Sequence, residues 1–402
     1  MKNELKLVRD NWIEYASLVI FALGSGVILL LQLYFKEVFH YTILQASFIL
    51  GAAGGGQLFG SFFTNSYVKI MRQIVRRGGY ESISAIRLGL FSLSVMTAIL
   101  FALFAINSYY PFFILMSFLL GVFLSLFYPI VQAVLFENLS ISQTVLASSL
   151  RRWAVNVGVG ISLTLISFAT HHPKILFLTL AVLIAIAAFF FCFRLRTKTI
   201  FDNENKTVKA NNAFQLNFSR KIIAWGIGIF LGTAIFFQTI SVYPIFLHDH
   251  YGMGSSLFSR LMLINVFMVL IFQFIAPYFE KRLSIHTLSA LGMLIMGIGI
   301  GLVLVHSFNI VILSFILWSI GEIFYMGMVP VYSKIFAAGD EQSSLQYSSY
   351  YYFLFYLGKM VGPIVGSFAY AQLEDKSLAL VGIIILACVG TVPFIYLRNK
   401  RL

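Results

Sequence analysis

Two side chains stand where only chemistry or a partner would justify them. Glu322 is the lone acid in the apolar stretch Phe308–Val331; its nearest charged neighbours in sequence are Glu280–Arg282 on one side and Lys334 on the other. Lys359 interrupts the run Leu345–Ala371 in the same way. Runs of this length are long enough to cross a bilayer as helices. A carboxylate deep in such a helix costs about 2.5–3.5 kcal/mol on insertion scales, so residues of this kind face a protein interior or a wet cavity. Helical spacing places Trp318, Glu322 and Tyr325 on one face, and Tyr352, Tyr356 and Lys359 on another. Two such faces meeting at a cavity would give it an aromatic wall with one acid and one base. Burial disfavours the charged form of either group and a close opposite charge favours it. Glu322 is therefore a candidate proton-exchanging acid, with Lys359 setting its affinity. The aromatic faces suit an amphipathic or cationic ligand. The competing structural reading is a fixed Glu322–Lys359 pair that only joins two helices.

The elements that must position these groups follow from composition. The chain has 402 residues, 59% of them hydrophobic and only 11% charged, against about 25% charged in an ordinary soluble domain. Apolar runs recur along the whole length and lack the period-two alternation of a barrel. About twelve spans are predicted, at 12–35, 42–68, 83–106, 110–136, 148–170, 174–193, 222–247, 257–279, 286–306, 309–335, 345–371 and 377–397. The expected fold is an all-α integral membrane protein of two pseudo-symmetric six-helix bundles, 1–193 and 222–402, joined by a basic linker at 194–221.

A net charge of +13 would suggest nucleic acid in a soluble protein. Here the basic residues gather between alternate spans: Lys2, Lys6 and Arg9; Lys69, Arg72, Arg76 and Arg77; Arg151 and Arg152; the linker; Lys281, Arg282 and Lys334; and the tail Arg398, Lys400 and Arg401. The positive-inside rule then puts both termini in the cytoplasm of a cell whose plasma (inner) membrane holds the protein, with no nucleic-acid partner. No signal-peptide cleavage site follows the basic N-terminus, so the first span is read as retained. Cys192 and Cys388 both lie in apolar runs, which argues against a disulfide framework or zinc site.

Other polar residues inside spans are Gln132, Asn156 and Gln238, each a candidate substrate contact or an interhelical hydrogen bond. Glu14 and Arg87 lie about one turn inside their spans and read as anchors or gates. Arg151 and Arg152 could attract an anion, although basic residues at a membrane edge are commonplace. His248-Asp249-His250 and His171-His172 are read as outward loops rather than metal ligands, since two histidines with no second cluster make a poor site. No phosphate loop, nucleophile elbow or His-Glu-x-x-His helix is present, so neither an enzyme nor a cofactor is expected.

A weak internal repeat is visible. Gly121 with Pro129 parallels Gly321 with Pro330, and Asn156-Val-Gly158-Val-Gly160 parallels Gly358-Lys-Met-Val-Gly362. With the 6+6 layout, the basic linker and Glu280-Lys281-Arg282 after the eighth span, the chain resembles the major facilitator superfamily over essentially its whole length. Trp318 through Pro330, and Gly358 through Gly366 with Gly362-Pro363, are similar to the tenth and eleventh helices of bacterial drug:proton antiporters. Thr64 stands where the superfamily's loop motif has an acid. The fourth span lacks the antiporters' membrane arginine, and the fifth has Gly158-Val-Gly160 in place of Gly-Pro. The resemblance implies a proton-coupled transporter in the bilayer that exports an amphipathic small molecule; a monomer can contain the complete pathway, and a monomer is expected. Glu280, Lys281 and Arg282 would be its gating charges. Uptake of a metabolite, peptide or siderophore is the alternative, and a transporter-like sensor without flux the other class.

Overall fold

The computed structural model describes residues 9–80, 82–106, 109–136, 139, 141–169, 172–198, 219–273, 278–279, 282–337 and 341–399. Among them there are long helices and no strands. Six of the described helices precede the linker: α1 (Trp12–Val38), α2 (Ile43–Arg77), α3 (Ala85–Phe104), α4 (Tyr110–Phe136), α5 (Ile141–Ala169) and α6 (Pro173–Arg194). Beyond it come α7 (Arg220–Phe236), α8 (Ser255–Phe272), α9 (Ile285–Gly301), α10 (Phe308–Met328), α11 (Glu341–Gln372) and α12 (Ser377–Asn399). The helix α7 passes through a 3-10 turn, Phe237–Ile240, into a further helix Val242–Tyr251. Ten of the described helical segments are long and apolar enough to cross a membrane.

Start signals are local. Thr42 and Gln45 form a reciprocal capping box at the head of α2, and Ser84, Ser219 and Ser284 each accept a backbone N–H at the heads of α3, α7 and α9. The surface is inverted relative to a soluble protein. Large apolar side chains such as Phe193, Val182, Ile271 and Val392 are exposed, while Glu14, Arg87, Asn265, Glu322 and Lys359 are buried. Such an exterior is stable only against lipid.

Packing between helices relies on small residues. Where α2 crosses α4, a Cβ on Gly56 would collide with the Phe118 carbonyl, and one on Gly121 with the Ala53 carbonyl. The backbones touch there because neither position carries a side chain. The α1–α6 group meets the α7–α12 group mainly through α2 against α11 and α5 against α8.

Two placements differ from the sequence reading. His248 and His250 are not in a loop: they occupy the last turn of Val242–Tyr251, which ends at Gly252 in the left-handed region, φ +65°. Asp249 there accepts from Tyr370 OH at 3.0 Å. Arg151 and Arg152 are not edge residues either. The fifth helix starts at Ile141, so Arg152 lies about 16 Å along it. The polar stretch Ser142-Gln143-Thr144, which breaks the apolar pattern, is part of this helix.

Glu14 and Arg87 pair with each other inside the α1–α6 group. Glu14 is wholly buried, forms an ion pair with Arg87, and lies 3.9 Å from Arg194. Arg194 also donates to the Asp10 carbonyl at 2.9 Å, tying the end of α6 to the start of α1. Removing one partner of a buried pair typically costs about 3–5 kcal/mol. Glu14→Gln is therefore expected to lower the melting temperature of the purified protein in detergent by several degrees. An unchanged melting temperature would show that the cluster contributes nothing to stability.

Candidate functional site

The predicted acid lies at the contact between the two groups of helices. Glu322 is about 21 Å along α10 from Phe308. That depth is in the half of the membrane that the basic loops predict to be cytoplasmic. One carboxylate oxygen accepts from Arg152 Nη2 of α5 at 2.7 Å. The other accepts from Asn265 Nδ2 of α8 at 2.6 Å. Asn265 is itself held by Ser319 Oγ at 3.0 Å, and Ser319 donates to the Phe315 carbonyl. One buried carboxylate thus joins α5, α8 and α10 across the interface. Charge-assisted bonds of this length are the strong class, and their desolvated setting makes them sensitive to the charge state of either partner.

A second polar bridge lies beside the first. Arg151 Nη1 is 3.4 Å from Tyr352 OH of α11, and Tyr352 OH in turn donates to Gln132 Oε1 of α4. Arg151 Nε is buried with no hydrogen-bond partner among the described residues. Both bridges link the α1–α6 group to the α7–α12 group.

Lys359 is not the partner of Glu322. It lies about 10 Å further along α11 than Tyr352, is 6% exposed, and holds its ammonium 5.1 Å from the centre of the Phe237 ring. Gly358 and Gly362 of α11 face α7, whereas Met360 and Ile364 meet Gly54 and Gly51 of α2. The face carrying Tyr352, Tyr356 and Lys359 spans about 60° of arc between those two contacts. Tyr352 and Tyr356 stack there at 5.7 Å.

The remaining predicted residues divide by what they touch. Gln132 bridges the interface, as above. Asn156 donates to the Arg152 carbonyl at 3.0 Å within its own helix, beside the Arg152–Glu322 pair. Gln238 donates to the Gly362 carbonyl at 2.7 Å and accepts from Ser241, joining α7 to α11. Tyr325 donates to the Gly228 carbonyl at 2.9 Å and packs into the gap left by Gly232. Trp318 is buried against Gly299 of α9 and 5.8 Å from Phe315. Trp318 and Tyr325 therefore face neighbouring helices of the α7–α12 group. Glu280 and Lys281 lie outside the described residues, and Arg282 is exposed, donating to Tyr278 OH at 2.7 Å. No group of three or more metal-ligating side chains occurs among the described residues.

Arg152 is the partner of Glu322 that sequence reasoning missed, having read it only as a possible anion attractor or an edge residue. Its signal was present: Arg152, Asn156 and Gly160 recur at steps of four on one face of α5, and Gly160 meets Val266 of α8, the residue after Asn265.

An all-helical membrane bundle with buried polar links between two helix groups defines the class. The sequence matches the Major Facilitator Superfamily over residues 16–363. The chain belongs to that superfamily. A Bacillus subtilis (strain 168) protein, described as the uncharacterized MFS-type transporter YqjV, is 24% identical over 348 residues, which is 84% of this chain and 80% of that one. Among solved structures, a POT family transporter in complex with a thioalcohol-conjugated peptide superposes with a TM-score of 0.73 at 14% identity, covering 98% of this chain and 96% of that one. A mutant of the nucleoside transporter NupG gives 0.70 at 13% identity, covering 96% and 98%. These likenesses establish the fold of a membrane transporter.

Proposed function

We propose that this protein is a secondary active transporter that moves an amphipathic small molecule by alternating access, coupled to proton exchange at Glu322. The observation that carries the reading is the Arg152–Glu322–Asn265 link between the two helix groups. An ionised Glu322 holds α5 and α8 to α10. A proton on Glu322 removes its charge and weakens its grip on Arg152, so proton binding and separation of the helix groups are one event. The two groups then rock about the midplane, as in transporters built from repeated bundles. A single chain contains the whole pathway.

Export is the direction implied by the resemblance of α10 and α11 to drug:proton antiporters. Uptake uses the same machinery and draws support from the peptide-bound POT transporter among the structural neighbours. The test is accumulation of fluorescent amphiphiles of either charge in efflux-deficient cells expressing the protein. Lower accumulation that disappears when the proton gradient is collapsed supports export, and higher accumulation with the same sensitivity supports uptake. Absence of any substrate-dependent proton movement in proteoliposomes, across a panel of both charges, would overturn the coupled-transport reading in favour of a sensor without flux.

A further inference from the structure

Among the described residues, the charges between the two helix groups do not balance. Arg151 and Arg152 reach across from α5, Lys359 lies on the α11 face between the contacts to α7 and α2, and among the described residues Glu322 is the acid there, meeting Arg152 alone. Arg152 is neutralised by Glu322. Among the described residues, Arg151 has only a tyrosine hydroxyl at 3.4 Å and a buried Nε without a partner. Among the described residues, Lys359 meets the face of Phe237 and no acid. A cation–π contact offsets part of the desolvation of an ammonium, but a buried charge is normally completed by an opposite one.

We propose that the missing charge belongs to the substrate: the site formed by Lys359, Tyr356, Tyr352 and Arg151 binds an amphipathic organic anion. Its anionic group sits at Lys359, and its apolar body lies along the Tyr352–Tyr356 stack. Phe355 closes the side, its ring 5.8 Å from that of Phe237 and 5.8 Å from that of Tyr356. The inner end of the column is Arg151, whose free Nε donates to a second polar group. This deepens the transporter reading and rests on it for the site's purpose. It concerns binding alone, however, and does not require that Glu322 carry the coupling proton. A cationic amphiphile fails here for the same reason an anion fits: it would add a third positive charge to a site that has no uncommitted acid among the described residues.

Binding can be read without any gradient. The purified protein in detergent would be heated in the presence of 2-naphthoate, 2-naphthyl phosphate or octanoate, and of the matched cation 2-naphthylmethylammonium and the neutral 2-naphthylmethanol. Aggregation would be followed by light scattering. The anions are expected to raise the melting temperature and the cation and alcohol to leave it unchanged. Lys359→Met should weaken the apparent anion affinity about tenfold to a hundredfold, as loss of a charged hydrogen-bond donor does, and Lys359→Arg should retain most of it. The melting temperature of each variant without ligand shows whether it folds, and Arg151→Gln, which removes the other uncompensated charge, provides a second variant with the same expected loss. Equal stabilisation by cation and anion, no stabilisation by any of the anions, or anion binding unaffected in both Lys359→Met and Arg151→Gln would each overturn the proposal. Anion binding without proton movement would leave it standing while sinking proton coupling.

Discussion

Glu322→Gln is expected to abolish gradient-driven transport while leaving substrate exchange intact. The amide keeps the volume of the carboxyl and still accepts from Asn265, so the local packing on α8 and α10 survives. It neither titrates nor carries the charge that holds Arg152 at 2.7 Å. In proteoliposomes, an imposed pH gradient should drive no accumulation above equilibrium in the variant, whereas counterflow of unlabelled for labelled substrate should proceed. The distinction matters because exchange requires only that the loaded protein change conformation, while uphill transport requires that the empty or loaded form do so with a proton bound. Uphill accumulation by the variant at the wild-type level would exclude Glu322 as the coupling acid.

The second large effect is expected at Arg152. Arg152→Gln leaves Glu322 buried with Asn265 as its remaining partner, and stripping one member from a buried ion pair typically costs about 3–5 kcal/mol. If that energy holds the two helix groups together, its loss shifts the conformational equilibrium by about a hundredfold to a thousandfold or more. The bridge should open, and a cysteine placed by Asn156→Cys, one turn along α5 from Arg152, should be alkylated faster in a background where Cys192 and Cys388 are replaced. The double variant Arg152→Gln/Glu322→Gln should be more stable than Arg152→Gln alone, because the uncompensated carboxylate has gone. A double-mutant cycle on the melting temperatures isolates this coupling. Additive effects with no gain in labelling would mean that the pair is not a gate.

The chain's own pattern determined a good deal. Apolar runs of spanning length dictate helices, because a backbone in lipid must satisfy its hydrogen bonds internally. The membrane class and the positions of most helices were therefore legible. The isolation of Glu322 and Lys359 was equally visible, since a lone charge in an apolar run needs no fold to be noticed. Partnerships were not. Glu322 pairs with Arg152, 170 residues away, and not with Lys359, which shares its group of helices. Which cation reaches a buried acid depends on how far each helix extends and how it is rotated, and those follow from packing, such as Gly160 against Val266, that no local pattern contains. Trp318 and Tyr325 illustrate the same limit. Their spacing places them near Glu322 on α10, but the small residues Gly299 and Gly232 on adjacent helices draw both rings into the α7–α12 group. Sequence determined which residues had to be accounted for in the membrane; only the tertiary structure decided what accounts for each, because a desolvated charge is balanced by whatever the packing of distant helices brings within reach.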